Sequence, residues 1–184
     1  LAGYSFIVPD LVGGSLLTSS KPSPDGELYT RWAQATALMP AMQFATPPWY
    51  YANESITAAV VAAIELHTSQ STLIRSLANN RVNGDGAPIM RPMWWADPDD
   101  PKLYEAGVVD TQFLVGEQGV NQVQLLVAPI LERGATQRSV YLPKGKWIQQ
   151  PGGKDAPSEE VVDGGRQVVG NADLAHLLWY KRQI

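Results

Sequence analysis

The sequence of 184 residues contains no cysteine and only two histidines, and each shortage excludes a class of chemistry. Without cysteine the chain has no disulfide framework, no thiol nucleophile and no thiolate metal ligand. His67 and His176 do not complete a transition-metal site by themselves, and we interpret both as structural or surface groups. We therefore expect neither a metal ion nor another cofactor in this chain.

Strong positive charge and long apolar runs are absent as well. The formal net charge is −4 and the isoelectric point is about 5.1, so nothing in the charge favours binding to nucleic acid or to an anionic membrane. The longest nearly uncharged helical stretch, residues 56–64, is too short to cross a bilayer. We predict that neither nucleic acid nor a membrane is a partner of this segment.

The motifs of several enzyme classes are also missing. There is no Gly-x-Ser-x-Gly nucleophile elbow, and Gly13-Gly14 lacks the Lys and Ser/Thr of a phosphate-binding loop. Residues 97–100 lack the glycine and the distal glutamate of an EF-hand, which favours a proline-rich turn. What the sequence does contain is carboxylates, together with six Trp, seven Tyr and three Phe, which indicate large packed surfaces and rings able to stack on sugars.

Asp10 is the carboxylate whose position is most informative. The apolar run at residues 4–8, bounded by Gly3 and Pro9, predicts a buried strand, and Asp10 follows it on a glycine-rich turn. An aspartate at the C-terminal end of such a strand is placed like a ligand-facing residue of an α/β barrel. An aspartate that caps its own turn explains the same pattern equally well.

The first half of the chain predicts alternating strands and helices. Asp25 is a candidate N-cap for a helix, a short strand is expected at residues 41–45, and the longest helical pattern covers residues 55–80. The first helix is expected to lie against a sheet through a stripe of Leu28, Trp32, Ala35 and Met39.

After residue 80 the pattern changes to short strands separated by Pro and Gly turns. Strands are predicted at residues 88–95, 111–115, 123–130, 137–142, 146–148 and 174–181, and residues 151–165 are expected to form a polar surface loop. The predicted fold is therefore α/β followed by all-β. Residues 1–80 are interpreted as the C-terminal portion of a (β/α)8 barrel, whose other strands lie upstream, and residues 81–184 as a small antiparallel β-sandwich.

A series of motifs in fixed order resembles the end of the catalytic barrel of the family 31 glycoside hydrolases and the β domain that follows it. The barrel motifs are residues 3–14, 27–34, 37–42 and 48–49, and the β-domain motifs are residues 87–92, 112–116, 125–130, 140–147 and 173–180. Within the family, residues 8–14, 37–44 and 93–95 are most similar to the myogenesis-regulating glycosidase group, an α-galactosidase-like branch.

The resemblance implies a retaining α-glycosidase, in which one aspartate attacks the anomeric carbon and a second protonates the leaving oxygen. Both of these aspartates belong to motifs upstream of Leu1, so the chain itself has no catalytic residue and is predicted to be inactive alone. The resemblance places Asp10, Gln43 and Trp49 as substrate-binding residues. For Gln43 and Trp49, packing at a strand end remains an equally good interpretation.

Two departures from the family pattern bear on the substrate. Most α-glucosidases of the family carry Arg-x-His at the last barrel strand, where this chain has Gln43-Phe44-Ala45, and the family's Gly-Phe after the strand-end aspartate appears here as Gly13-Gly14. Losing a histidine donor and an aromatic wall favours a differently configured sugar such as galactose. We expect hydrolysis of terminal α-galactosides, with α-glucosides and α-xylosides as alternatives.

Two other functions remain open from the sequence. The segment could serve as a carbohydrate-binding or scaffolding β module without turnover, or the sugar chemistry of the parent protein could have been lost. The family resemblance also favours the secretory pathway, where the sequon that begins at Asn53 would be a glycosylation site, and it allows a homo-oligomer of the parent.

Overall fold

The computed structural model describes residues 4–14, 25–84, 87–117, 123–150 and 160–183. These described residues form three α-helices and then eight β-strands. The helices are α1 (Gly26–Thr36), α2 (Glu54–Ser69) and α3 (Ser71–Val82). The strands are β1 (Met90–Arg91), β2 (Phe113–Gly116), β3 (Gln124–Val127), β4 (Gln137–Leu142), β5 (Lys146–Gln149), β6 (Val161–Asp163), β7 (Arg166–Asn171) and β8 (Trp179–Arg182).

The strands form two antiparallel sheets, as the sequence predicts for its second half. One sheet has six strands in the order β1-β2-β3-β8-β5-β6, and the other pairs β4 with β7. Side chains alternate across the larger sheet, so that Leu114 and Leu126 point to one face and Phe113 and Leu125 to the other, and all four are buried. A sheet covered on both faces explains why β2 and β3 have continuous apolar sequences.

Each face of the larger sheet has its own apolar core. The helices cover one face, where Tyr29 and Ala33 of α1 belong to one buried cluster with Phe113 and Val127. The β4–β7 pair covers the other face, in a second cluster that contains Val140 and Leu142 of β4 together with Leu114, Leu126, Trp147 and Tyr180. The arrangement is therefore a helical layer, a central sheet and a small second sheet.

The helical layer differs from the sequence prediction in two respects. Its first helix is capped by Asp25, as expected, and Trp32 and Met39 of the predicted stripe pack against the core, but Leu28 is 50% exposed. The buried face of α1 also includes the polar residues Thr30, Arg31 and Gln34. The single long helix predicted from residue 55 to residue 80 is instead two helices, α2 and α3, that meet at Gln70. The helical spacing of apolar residues continues across the break at this single residue, so the sequence pattern did not reveal the break.

Several strand predictions also need correction. Within residues 88–95 only Met90–Arg91 is a strand, because Pro92 has no N–H to donate and Met93–Trp95 forms a 3-10 turn. Residues 161–163 of the predicted loop are strand β6, and β7 was not predicted; both strands are largely exposed. The part of that loop at residues 151–159 lies outside the described residues. Among the described helices, none is long and apolar enough to cross a membrane.

Candidate functional site

Two segments within residues 4–45 of the chain lie side by side and parallel. Val12 forms a parallel bridge with Phe44, in which the N–H of Val12 donates to the carbonyl of Gln43 at 2.9 Å and the N–H of Ala45 donates to the carbonyl of Val12 at 3.0 Å. Helix α1 follows the first segment and α2 follows the second. Since both segments run in the same direction, the turns that follow them leave from the same edge.

The segment before Val12 is extended but is not the buried strand that the sequence predicts. Tyr4, Phe6 and Val8 are 71%, 52% and 62% exposed, whereas Ser5 and Ile7 between them are half-buried. This alternation is the two-residue period of a strand with one uncovered face. Among the described residues, the only bridge of this segment is the one at Val12.

Asp10 is exposed at the end of this extended segment. Its Oδ1 accepts a hydrogen bond of 2.8 Å from the N–H of Leu11, and the N–H of Gly14 donates to the carbonyl of Leu11 at 2.8 Å. Gly13 and Gly14 have φ of 96° and 75°, a region that favours glycine. The aspartate therefore caps its own turn, and its carboxylate is exposed to solvent.

Gln43 and Trp49 lie on the second parallel segment and on the turn after it. The Nε2 of Gln43 donates to the carbonyl of Pro9 at 2.8 Å, which places this side chain directly beside the Asp10 turn. Trp49 is 72% exposed on the 3-10 turn Pro48–Tyr51. The structure thus brings Asp10 and Gln43 together, while Trp49 occupies the next turn along the chain.

The turn that carries Trp49 is fastened to α1 by aromatic contacts that sequence reasoning missed. The rings of Tyr51 and Tyr29 lie 4.6 Å apart, and the hydroxyl of Tyr29 donates to the carbonyl of Thr46 at 2.5 Å. Burial raises the pKa of Tyr29 to about 12, so the phenol remains a donor at every physiological pH. The turn that carries the exposed indole of Trp49 is therefore held against α1.

Helix α1 also binds the β sheets through buried polar groups. The guanidinium of Arg31 donates to the carbonyl of Ala135 at 2.7 Å and to that of Ile130 at 3.3 Å, and it pairs with Glu27 at 2.8 Å. The Nε2 of Gln34 donates to the carbonyl of Leu174 at 2.7 Å. The sequence contained no signal for the contacts with these carbonyls, because each carbonyl lies about a hundred residues or more along the chain.

Glu27 completes this contact between α1 and the loop that joins β3 to β4. Its Oε1 accepts a hydrogen bond of 2.6 Å from the N–H of Gly134. That bond, followed by the bond from Arg31, lowers the pKa of Glu27 below its ordinary value. Asp25 forms an ion pair with Arg133 on the solvent side of the same contact.

The two histidines and the turn at residues 97–100 have hydrogen-bond partners within the protein, as the interpretation of the histidines as structural or surface groups implies. The Nδ1 of His67 lies 3.0 Å from the carbonyl of Ala37, and that of His176 lies 2.5 Å from Oδ1 of Asp173. Asp100 accepts from the N–H of Lys102 at 3.0 Å and from the hydroxyl of Tyr141 at 2.7 Å. Across the described part of the chain, no group of three or more His, Cys, Asp or Glu side chains could hold a metal ion.

A cleft of about 320 Å³ lies on the β sheets, between the turn at Gly107 and the loop that follows Ile130. Arg138 lies in its wall, where burial lowers the pKa of the guanidinium. Its N–H groups donate to the carbonyls of Thr111 at 2.9 Å and Pro129 at 2.7 Å and to the hydroxyl of Thr111 at 2.6 Å. This arginine holds the fold together and does not offer a free cation to a ligand.

Comparison with known proteins identifies the family. Residues 86–182 match the domain described as Glycosyl hydrolase family 31 C-terminal domain. The chain is 40% identical to the myogenesis-regulating glycosidase of Mus musculus over 83% of this chain and 21% of that protein. It is 34% identical to the SITS-binding protein of Tetronarce californica over 90% of this chain and 22% of that protein.

A solved structure shows the same fold. The family 31 dextranase of Flavobacterium johnsoniae, complexed with glucose, superposes with a TM-score of 0.70 at 28% identity over 85% of this chain and 18% of that chain. Other relatives are named as α-glucosidases and α-xylosidases. The chain spans about a fifth of the length of the curated relatives it matches. From the family match and the antiparallel β architecture together, the chain belongs to glycosyl hydrolase family 31, with its C-terminal β domain at residues 86–182.

Proposed function

We propose that this chain is the C-terminal portion of a retaining α-glycosidase. Residues 1–80 would contribute the last two βα units of a (β/α)8 barrel, and residues 81–184 the β domain packed against it. The observation that supports this most directly is the parallel Val12–Phe44 bridge, with a helix after each segment, because parallel neighbours joined by helices are the repeating unit of such a barrel.

In this proposal Asp10 is the sugar-binding residue of the chain. Its carboxylate is exposed at the edge from which both turns leave, where it can accept hydrogen bonds from sugar hydroxyls. Gln43 borders the same site, and the exposed indole of Trp49 offers a ring face at its rim. The nucleophile and the acid/base aspartate would come from strands upstream of this chain.

We propose terminal α-galactosides as the favoured substrates. Where most family α-glucosidases have Arg-x-His, the chain has Gln43-Phe44-Ala45, so a histidine donor is replaced by a methyl group. A sugar whose hydroxyl needed that donor would leave a polar group unpaired. The identity of 40% to a protein named as a myogenesis-regulating glycosidase supports the same branch of the family, while α-glucosides and α-xylosides are alternatives suggested by other relatives.

The test is an assay of the full protein on matched aryl α-galactoside, α-glucoside and α-xyloside. We expect turnover of the galactoside, a loss of about 100-fold or more for Asp10→Asn, and no turnover by residues 1–184 alone. Asp110→Asn, an exposed carboxylate on the β side, is the matched control and should retain full activity. Activity confined to the glucoside would refute the sugar assignment, and turnover by residues 1–184 would refute the placement of the catalytic pair.

A second candidate function is carbohydrate binding or scaffolding without turnover. One of the relatives is named as a binding protein, the SITS-binding protein, and its 34% identity to this chain supports this alternative. It predicts that the full protein binds an oligosaccharide, measured by a change in tryptophan fluorescence, but leaves every aryl glycoside intact.

We also propose passage through the secretory pathway with a glycan on Asn53, which is exposed and caps α2 through its Oδ1. A mobility shift after glycosidase treatment, absent in Asn53→Gln, tests that point.

A further inference from the structure

Gln43 contacts the segment around Asp10 at two points. Its side-chain Nε2 donates to the carbonyl of Pro9 at 2.8 Å, and its backbone carbonyl accepts from the N–H of Val12 at 2.9 Å. Asp10 and Leu11 are the two residues between these points. One glutamine therefore holds both ends of the four-residue segment that carries the exposed carboxylate.

The carboxylate of Asp10 is itself attached to that segment. Its Oδ1 accepts from the N–H of Leu11 at 2.8 Å, so the direction of the side chain follows the backbone between Pro9 and Val12. Proline restricts φ at residue 9 and has no N–H, which leaves its carbonyl as the backbone group through which the segment can be held there. A bond at this carbonyl fixes the plane of the peptide that leads into Asp10.

We propose that Gln43 is a positioning residue that fixes the Asp10 carboxylate for sugar binding, and that it does not itself bind the sugar. This inference rests on the proposed function and deepens it. One N–H of the Gln43 amide donates to the Pro9 carbonyl at 2.8 Å, and this bond sets the orientation of the side chain on the segment that carries Asp10. The amide is neutral, and it can hold the backbone without neutralising the negative charge of Asp10.

The departure from the Arg-x-His pattern that the resemblance describes bears on the charge of the site. An arginine at position 43, as in the Arg-x-His pattern, would bring a permanent positive charge next to the Asp10 carboxylate and could pair with it. With glutamine, the charge of Asp10 remains available to hydroxyl donors. The glutamine therefore brings no positive charge to the site, while its amide forms a hydrogen bond across the two parallel segments.

The first experiment measures, in the full protein, whether Gln43 holds the backbone of residues 9–12 in place. Gln43→Met keeps the length of the side chain and removes the donor, and Gln70→Met, at a half-buried glutamine between α2 and α3, is the matched control. We expect the Gln43 variant to increase hydrogen–deuterium exchange at the amides of Leu11 and Val12 by about tenfold, with no change in the control. Unchanged exchange at these two amides would overturn the inference.

The second experiment separates positioning from direct sugar contact. A displacement of about 1 Å at a binding group is sufficient for a loss of roughly 100-fold in kcat/KM, so Gln43→Met should show a loss of that order on the preferred glycoside. If the glutamine acts through Asp10, the double variant Asp10→Asn/Gln43→Met should be no worse than Asp10→Asn alone. Losses that multiply would show a separate contact with the sugar and overturn the positioning role.

The two readouts also distinguish failure of the inference from failure of the proposed function. If the wild-type protein hydrolyses none of the glycosides, the enzyme assignment is wrong. The positioning role of Gln43 is then tested by hydrogen–deuterium exchange and by oligosaccharide binding in the wild type, the two single variants Asp10→Asn and Gln43→Met, and the double variant. In that case an additive loss of affinity in the double variant, or unchanged exchange in Gln43→Met, overturns the positioning role, and a non-additive loss supports it.

Discussion

Replacing Arg31 by methionine is expected to destabilise the protein by about 3 kcal/mol. The Arg31 residue is 5% exposed, and its guanidinium makes two hydrogen bonds shorter than 3 Å, one to the carbonyl of Ala135 at 2.7 Å and one to Glu27 at 2.8 Å. Bonds that involve a charged group contribute about 1.5 kcal/mol each at the lower end of their range. Methionine retains the apolar contacts of the arginine stem, so the loss is mainly that of the two polar contacts.

The same contact provides a matched control. The side chain of Arg133 is 73% exposed and pairs with Asp25, also at the start of α1. Exposed ion pairs contribute little, so Arg133→Met should change the free energy of unfolding by no more than about 0.5 kcal/mol. Both variants remove one positive charge, and they differ in the burial of that charge.

Urea unfolding followed by tryptophan fluorescence measures the difference. For a dependence of about 2 kcal/mol per molar urea, Arg31→Met should lower the midpoint of the transition that includes α1 by about 1.5 M, and Arg133→Met by about 0.25 M or less. Equal midpoints for the two variants would refute the reasoning, because they would show that the buried donors of Arg31 contribute no more than a surface ion pair.

Two further predictions concern the β sheets and their contact with α1. Gly116→Ala should destabilise the protein by about 3 kcal/mol, because φ at Gly116 is +87° and an added Cβ would lie 2.1 Å from the carbonyl oxygen of Val123. The control is Gly107→Ala, which should cost only about 1 kcal/mol, because φ is a similar +82° but no atom lies within 4 Å of the added Cβ. Similar thermal midpoints for the two variants would contradict this prediction. The bond from the N–H of Gly134 lowers the pKa of Glu27, so the stability that Glu27 contributes is present above its ordinary pKa of 4.5 and is lost as the pH falls through its lower folded value. Urea midpoints between pH 3 and pH 7 should therefore fall more steeply for the wild type than for Glu27→Gln, and parallel curves would exclude this role.

The position of α1 gives these contacts a functional meaning. This helix follows the turn of Asp10 in the chain, supports the Trp49 turn through Tyr29, and binds the β sheets through Arg31 and Gln34. Within the described residues, no buried side-chain nitrogen or oxygen lacks a hydrogen-bond partner. Helix α1 thus connects the candidate sugar site with the β domain through buried polar groups that have hydrogen-bond partners. We expect substitutions in this helix to affect both the site and the β domain.

The sequence by itself determined the features that depend on neighbours along the chain. The cap at Asp25, the start of a helix near residue 55 and the strand at residues 137–142 follow from local hydrogen bonding and from the two-residue and 3.6-residue periods, and the structure confirms all three. The motif order was likewise sufficient for the family, because it does not require knowledge of any contact.

The tertiary structure decided the features that depend on distant partners. Arg31 and Gln34 are buried because carbonyls of Ala135 and Leu174 meet them, and an amphipathic pattern assigns such residues to the solvent face. The largely exposed strand β7 is paired with β4 along its whole length, and its own sequence does not encode that partner. The partner of Gln43 is the carbonyl of Pro9, 34 residues away, and only the parallel pairing of the two segments brings them together. Local periodicity predicts elements, whereas the burial and satisfaction of a polar side chain are properties of the packed whole.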